Sequence, residues 1–290
     1  MDKFFLCCWQ TGLVSTVFHG VFSFTLKRIK CKNQLDDKIN ALIYTFIQQV
    51  IVEAEIVEET MQTGELNPHH YPAQRAARAV QHYINTRYGS PFKVFMINKV
   101  HSGNAEDINN AGRKYQLEIS FQEIISNSTH KCSAEVLFPR GEIQGSPEVS
   151  VLCEELETLN TTKDDEALYQ KLKTRQSMVV AQNLPDSHGH IDPDMKPLWY
   201  LGIVASSFIM LKESTENTLY NMAQVGNVTQ LATETDELKF DYFILLHDMV
   251  SQEIIRWKLQ INWSPLEGVK VQQMEKMPHC HECKKPPNTE

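Results

Sequence analysis

Residues 241–263 read Asp-Tyr-Phe-Ile-Leu-Leu-His-Asp-Met-Val-Ser-Gln-Glu-Ile-Ile-Arg-Trp-Lys-Leu-Gln-Ile-Asn-Trp. Two segments rich in aromatic and β-branched residues flank a polar run at residues 247–253, and this arrangement predicts an antiparallel hairpin with an elongated loop of seven residues. Polar and apolar residues alternate strictly along residues 258–263, so we expect the apolar side chains of this strand to face a core. The loop carries His, Asp, Ser, Gln and Glu, which suggests either a reduced active site or a finger that contacts a partner.

The hairpin belongs to a pattern that occurs twice in the chain. Each copy begins with a helix, predicted at residues 73–88 and 195–212, and continues with four strands. The strands of the first copy are predicted at residues 92–100, 115–121, 132–138 and 148–153. Those of the second copy are predicted at residues 219–231, 238–247, 254–263 and 268–272. This repeat, with an offset of about 126 residues, predicts an α+β fold in which each four-stranded antiparallel sheet buries one face against its own helix.

The remaining segments separate or flank the two copies. Residues 163–175 begin with acidic side chains and end with basic ones, which matches the helix dipole and predicts a connecting helix. The predicted division of the chain is an amino-terminal extension at 1–65, a first unit at 66–158, a connecting helix at 159–182, a second unit at 183–275 and a flexible tail at 276–290.

The amino-terminal extension has two features of its own. Residues 4–26 follow Lys3 and precede several basic residues, as a signal anchor would, but polar residues dilute their hydrophobicity. This segment is interpreted either as a secretory or membrane segment or as an irregular extension. Residues 35–59 have apolar residues near helical spacing and no Gly or Pro, which predicts one helix.

Composition limits the classes of function. The 290 residues are 42% hydrophobic and carry a formal charge of -8, as an ordinary globular protein of two domains would. We expect no nucleic-acid partner, because the chain is acidic and has no basic stripe interleaved with aromatic residues. The seven cysteines show no repeated metal-finger spacing, and their odd number leaves the redox compartment open.

Several segments together carry a family resemblance. They are Tyr-Pro-Ala-Gln-Arg-Ala-Ala-Arg-Ala-Val-Gln-His-Tyr-Ile-Asn at 71–85, Arg-Lys-Tyr-Gln-Leu-Glu-Ile at 113–119, Cys-Ser-Ala-Glu-Val-Leu-Phe-Pro at 132–139, Asn-Leu-Pro-Asp at 183–186, Asp-Tyr-Phe-Ile-Leu-Leu-His at 241–247 and Ser-Gln-Glu-Ile-Ile at 251–255. In their order and identity they resemble the latexin family, with its retinoid-responsive and eggshell-matrix relatives. The resemblance covers about two hundred residues, and residues 1–65 lie outside it.

The resemblance implies a fold, an activity and a partner. The implied fold is two cystatin-like units, each a helix cradled by a curved antiparallel sheet, joined by a connecting helix. The implied activity is inhibition of zinc metallocarboxypeptidases of the A type by a monomeric protein that is not an enzyme and needs no cofactor. The alternative is a secreted or membrane-associated matrix or regulatory protein with the same fold and little inhibitory activity.

The resemblance also assigns the protease-binding site to the hairpin loop. The loop residues are His247, Asp248, Met249, Val250, Ser251, Gln252 and Glu253. The resemblance implies that Gln252 lies nearest the protease's active-site funnel. A rigid hairpin can present such a short loop to a concave site with little ordering cost. Arg256 stands where the family typically has proline, which predicts a less rigid strand after the loop. A solvated loop with no partner is the simpler alternative.

Other chemical interpretations of the sequence are weaker. His247, Asp248 and Ser251 crowd one loop and lack the glycine pattern of a nucleophile elbow, so we expect no catalytic triad. A metal site at residues 186–193 competes with a simple turn, and one at residues 279–283 competes with a mobile tail. We predict neither site. The Gln-x-Val-x-Gly motif of cysteine-protease inhibitors is absent, since residues 224–226 read Gln-Val-Gly.

Two further patterns concern the cellular compartment. Cys132 and Cys153 lie on strands that flank one turn and are candidates for a disulfide, which would indicate an oxidising compartment. Asn-x-Ser/Thr sequons begin at Asn127, Asn160, Asn227 and Asn262, although so short a motif also arises by chance. We slightly favour a cytoplasmic location, with secretion or membrane anchoring as the alternative.

Overall fold

The computed structural model describes residues 15–18, 21–24, 63–109, 111–140, 145–153, 156 and 163–278. The chain separates into two compact parts, residues 1–61 and 62–290. In the first part, β1 (Ser15–Phe18) pairs antiparallel with β2 (Val21–Phe24). The predicted helix at residues 35–59 lies outside the described residues, as does most of the segment at residues 4–26 that was interpreted either as a secretory or membrane segment or as an irregular extension.

The second part contains three helices and ten strands in the described ranges. In chain order they are β3 (Gly64–Leu66), α1 (Tyr71–Tyr88), β4 (Phe95–Ile108), β5 (Gly112–Glu123), β6 (Thr129–Pro139), β7 (Glu148–Leu152), α2 (Lys163–Lys173), β8 (Val180–Leu184), α3 (Lys196–Glu213), β9 (Tyr220–Leu231), β10 (Leu238–Asp248), β11 (Glu253–Ser264) and β12 (Gly268–Lys276). The strands form two antiparallel sheets with the orders β3-β4-β5-β6-β7 and β12-β11-β10-β9-β8. The α+β class predicted from the sequence is therefore confirmed.

Each sheet has five strands, and the prediction of four was wrong in both copies. The additional strands, β3 and β8, precede the helix of their copy and pair only at the sheet edge. They are three and five residues long, too short to show a convincing alternation. β8 also occupies residues assigned to the connecting helix, and that helix is limited to Lys163–Lys173.

The two copies therefore share the order strand, helix and four strands. Helices α1 and α3 each have 18 residues, and each has a proline at its first turn. Proline is favoured there because its missing N–H would have no partner inside the helix. From the first residue of α1 to the first residue of α3 the offset is 196 − 71 = 125 residues. The repeat thus extends to the helix ends.

Helices α1 and α3 pack against each other and against the strands of their own copies, so they lie between the two sheets. The buried face of α1 is rich in alanine, including Ala73, Ala76 and Ala77, which allows close approach of a neighbour. In contrast, α3 has few polar residues on any face, as expected for a helix that is buried on two sides. The contact is close enough that a Cβ atom at Gly89, just after α1, would lie 2.7 Å from a Val204 methyl in α3.

Glu216, in the turn after α3, joins the second copy to the first. Its carboxylate accepts hydrogen bonds from the Tyr115 hydroxyl at 2.8 Å and from Arg140 Nε at 2.8 Å. Its backbone carbonyl accepts a 2.7 Å hydrogen bond from Arg75 in α1. The carboxylate also lies 3.8 Å from the buried guanidinium of Arg113. This polar cluster fixes the end of α3 against the first sheet, since charge-assisted bonds in a mostly buried setting are strong.

Candidate functional site

The hairpin predicted at residues 241–263 is formed by β10 and β11. The two strands pair in continuous register from Leu238 opposite Trp263 to Asp248 opposite Glu253. Leu259, Ile261 and Trp263 are buried, as the alternation predicted. The loop is shorter than expected. Only residues 249–252 lie between the strands, because His247 still pairs with Ile254 and Asp248 with Glu253 in the ladder.

The Asp248 side chain stabilises this turn through hydrogen bonds. Its carboxylate accepts hydrogen bonds from the backbone N–H groups of Leu219 and Val250, both at 3.1 Å, and from the Ser251 hydroxyl at 2.9 Å. Burial acts to raise the pKa of Asp248, but these hydrogen bonds outweigh it, so the pKa is lowered. The side chain is only 6% exposed. Asp248 therefore supports the turn and does not itself present a contact surface.

Gln252 closes the turn in a conformation that is uncommon for a residue with a side chain. Its φ is 61°, in the left-handed region. Its backbone N–H donates to the Asp248 carbonyl at 2.8 Å, and its Nε2 donates to the Met249 carbonyl at 2.6 Å. The N–H of Met249 donates in turn to the Leu219 carbonyl at 2.9 Å, which ties the loop to the start of β9. The turn is thus bonded on both sides.

The outer surface of the hairpin tip combines apolar and polar groups. Val250 and Ile254 are 43% and 51% exposed, so both offer aliphatic surface to a partner. Ser251, Gln252 and Glu253 are exposed between them, whereas His247 and Met249 are partly buried. The tip thus offers an amide, a carboxylate and aliphatic contacts on a rigid support. The structure therefore divides the seven predicted site residues into those that face solvent and those that support the turn.

The first copy has a turn with the same backbone between β5 and β6. The N–H of Glu123 donates to the Ser128 carbonyl, so residues 124–127 form a four-residue loop like residues 249–252. Asn127 has a φ of 61° and its N–H donates to the Glu123 carbonyl at 2.8 Å, as Gln252 does to Asp248. Ile124 N–H donates to the start of β4, as Met249 does to the start of β9. Applying the offset of 125 residues to the sequence would have located this equivalent turn.

Catalytic and metal chemistry find little geometric support among the described residues. The carboxylate of Asp248 is occupied by the turn and bonds to Ser251, while His247 pairs across the ladder with Ile254. At residues 186–190 the Asp186 carboxylate accepts backbone N–H groups, as in an ordinary turn. No cluster of three or more potential metal ligands occurs in the described ranges. Residues 279–283 lie outside the described residues.

A disulfide joins Cys132 in β6 to Cys153 just after β7, with the Cα atoms 4.6 Å apart. Both half-cystines are nearly fully buried against the core of the first copy. None of the helices in the described ranges combines the length and the apolar character needed to cross a bilayer.

Arg256 was expected to loosen the strand after the loop. In the structure it lies inside β11 opposite Leu245, and its carbonyl accepts a 2.8 Å hydrogen bond from the Met277 N–H. Its guanidinium donates to the Pro278 carbonyl. The strand continues unbroken through this position, because an arginine, unlike a proline, keeps its backbone N–H.

Comparisons with known proteins identify the family to which this chain is similar. The latexin family model matches residues 66–281. Human latexin is 39% identical over 215 residues, covering 74% of this chain and 97% of latexin. Human retinoic acid receptor responder protein 1 is 32% identical, covering 73% of each chain, and chicken ovocalyxin-32 is 31% identical, covering 69% of this chain and 72% of ovocalyxin-32. A crystal structure of mouse fetuin-B matches at only 10% identity and a TM-score of 0.24, over 74% of this chain and 71% of fetuin-B.

These matches agree with the expectation from the sequence that the protein is not an enzyme. The family model begins at residue 66, so residues 1–65 lie outside the match, as they lie outside the resemblance seen in the sequence. On the extent of the match and the identity to its members, the chain belongs to the latexin family.

Proposed function

We propose that the protein inhibits zinc metallocarboxypeptidases of the A type by placing the tip of the β10–β11 hairpin in the enzyme's active-site funnel. The observation that carries this proposal is the rigid turn at residues 249–252, which stands on Asp248 and exposes Val250, Gln252 and Glu253. Membership of the latexin family supports the same assignment. The proposal assigns no catalytic step to this chain.

The preformed turn accounts for how a short loop could bind tightly. Binding normally costs roughly 0.5–1.5 kcal/mol for each flexible side chain that becomes ordered. Here the backbone of the turn is already fixed by the Gln252–Asp248 and Met249–Leu219 hydrogen bonds. Val250 and Ile254 can therefore bury apolar surface. The exposed Glu253 carboxylate can reach polar groups around the enzyme's metal, as can Gln252 Oε1, since the Gln252 bond to the Met249 carbonyl uses only Nε2.

The proposed architecture follows the repeat. Each unit of strand, helix and four strands is a cystatin-like domain, and Lys163–Lys173 connects the two. The inhibitor acts as a monomer on one enzyme molecule, with a contact of ordinary size for a protease–inhibitor pair. The Glu216 cluster and the α1–α3 contact hold the two units in one orientation, so the hairpin is presented by the whole molecule.

A second candidate function is that of a matrix or regulatory protein with little inhibitory activity. The similarity to retinoic acid receptor responder protein 1 and to ovocalyxin-32, at 32% and 31% identity, supports this second candidate. The two functions differ in one measurable property. If the protein is an inhibitor, it lowers the rate at which a carboxypeptidase hydrolyses its substrate. If it is a matrix or regulatory protein, that rate stays nearly unchanged.

The test is an inhibition assay with an A-type carboxypeptidase and the purified chain. We expect inhibition at submicromolar concentration and a loss of at least about tenfold, or 1.4 kcal/mol, in the variant Val250→Ala/Glu253→Ala. These two exposed side chains are chosen because the turn itself is held by Asp248 and Gln252. Gln252→Ala then tests the residue predicted to lie nearest the funnel.

A matched control lies in the first unit. Ile125 and Ser128 occupy the positions equivalent to Val250 and Glu253, and Ile125→Ala/Ser128→Ala should leave inhibition unchanged. Absence of inhibition by the unmodified chain at tens of micromolar would refute the inhibitor proposal and favour the matrix alternative. Equal potency of the Val250→Ala/Glu253→Ala variant would remove the hairpin from the mechanism.

A further inference from the structure

The turn of the first unit carries a feature that the proposed function does not use. Residues 127–129 read Asn-Ser-Thr, so an N-glycosylation sequon begins at the residue equivalent to Gln252. Asn127 is exposed at the tip of the β5–β6 hairpin. An exposed tip gives a bulky hydrophilic group room in solvent, which a position inside a sheet does not.

The side-chain hydrogen bond that Asn127 makes in the turn uses its oxygen atom and not its nitrogen. The Oδ1 atom accepts a hydrogen bond from Gln122 Nε2, whereas a glycan is attached at the other branch of the amide, Nδ2. The turn is held by backbone bonds of Glu123, Asn127 and Ile124. Asparagine is also among the residues best suited to the positive φ found here. A glycan on Nδ2 would therefore leave the fold of the turn intact.

The other described sequons have a different geometry. Asn262 lies within β11, and its Nδ2 donates a 2.7 Å hydrogen bond to Glu237 Oε2. Asn227 lies within β9, its side chain is half-buried, and its Nδ2 donates to the Thr229 hydroxyl at 3.5 Å. A glycan at either position would replace the described contact inside a sheet. Asn160 lies outside the described residues.

The disulfide supplies an independent observation that points to the same compartment. Cys132 and Cys153 are bonded within the same unit as Asn127. Disulfides of this structural kind form and persist in oxidising compartments such as the endoplasmic reticulum and are rare in the cytosol. N-glycosylation is characteristic of secreted proteins. The disulfide and a glycan at the exposed sequon would therefore form along the same cellular route.

We infer that Asn127 is an N-glycosylation site and that the chain passes through the secretory pathway. The co-substrate is an oligosaccharide linked to a lipid diphosphate. A bond forms between Asn127 Nδ2 and the first sugar carbon, the bond from that carbon to the diphosphate oxygen breaks, and the amide proton and the lipid diphosphate leave. This inference favours the secreted alternative over the cytoplasmic location that the sequence slightly favoured. It is independent of the proposed inhibition.

The test is expression of the full chain, with its own amino terminus, in animal cells, followed by treatment with peptide N-glycosidase. We expect the untreated protein to migrate more slowly than the treated protein, and Asn127→Gln and Thr129→Ala each to lose one glycan-sized step of that shift. Thr129→Ser preserves the sequon and should keep the step. Asn262→Gln should also keep it.

The variant Asn160→Gln shows whether a glycan at Asn160, the sequon outside the described residues, contributes to the shift in migration. Persistence of the full shift in Asn127→Gln and Thr129→Ala would assign the glycan elsewhere and overturn the site. Absence of any shift in the unmodified chain would overturn the inference as a whole. Conversion of Asn127 to Asp by the glycosidase, read by peptide mass spectrometry, would place the glycan at this residue directly.

Discussion

Acid should destabilise the protein through His82 in α1. This side chain is fully buried where α1 meets the second unit. Burial, followed by the positive charge of Arg78, lowers its pKa from 6.5 to about 3, and the nearby Tyr220 backbone opposes this shift only in part. The imidazole is therefore neutral in the folded protein across the physiological pH range. In the unfolded chain it gains a proton near pH 6.5.

The size of the effect follows from this difference in pKa. A pKa that is lower in the folded state contributes stability above pH 6.5 and loses it as the pH falls from 6.5 towards 3. Each pH unit in this window corresponds to about 1.4 kcal/mol. Between pH 7 and pH 4.5, His82 alone should therefore lower the free energy of unfolding by about 2.5 kcal/mol, and by about 5 kcal/mol below pH 3.

Urea unfolding at pH 7 and pH 4.5 measures this quantity. The variant His82→Leu should lose about 2.5 kcal/mol less between the two pH values than the unmodified chain, whatever its stability at pH 7. His69→Leu, at an exposed position, serves as the control and should keep the full loss. If His82→Leu and the unmodified chain show the same pH dependence, the buried neutral imidazole does not control acid stability and the reasoning fails.

Three further substitutions test the supports of the fold. Glu216→Ala should lower the free energy of unfolding in urea by roughly 2–4 kcal/mol, since it breaks charge-assisted bonds to the first unit. The control Glu234→Ala, at an exposed position, should lower it by less than about 0.5 kcal/mol. Equal effects of the two substitutions would refute the proposed link between the units. Asp248→Ala should lower stability by about 2 kcal/mol and weaken inhibition, and Asp248→Asn should restore part of both because an amide oxygen keeps an acceptor; full inhibition by Asp248→Ala would contradict its supporting role. Cys132→Ala/Cys153→Ala should cost about 3 kcal/mol, the entropy expected for a closed loop with a sequence separation of 21, and reducing agent should no longer affect the melting temperature of this variant.

The sequence predicted most of the long, regular elements, although β4 was predicted at residues 92–100 and spans Phe95–Ile108. The strict alternation of residues 258–263 identified both the strand and its buried face, because a strand with one buried side must alternate. The helix ends were close to those observed, since proline near the start and a break at residues 89–91 mark them locally. Short edge strands such as β3 were missed because their identity depends on the neighbouring strand rather than on their own residues.

The bounds of the β10–β11 loop and the directions of its side chains were harder to predict, because both depend on how far the pairing of β10 with β11 continues. The sequence groups His247, Asp248 and Glu253 with the tip as polar residues, but strand pairing continues through all three. Asp248 faces inward and accepts hydrogen bonds from backbone N–H groups. The sequence shows that this residue is polar but not the direction of its side chain. The contacts of Glu216 lie in the other copy, about 100 residues away, and have no local signal.

The two equivalent turns show how one backbone can serve two purposes. Both have the same four-residue loop and the same positive φ at its last position. In the second unit, Asp248 reinforces the turn through a side-chain bond to the N–H two residues later, which is a bond that aspartate makes readily. The first unit has Glu123 at this position, one methylene longer, and presents Asn127 where the second presents Gln252. A glycan on Asn127 would cover the first tip, so the same fold would retain a single exposed finger.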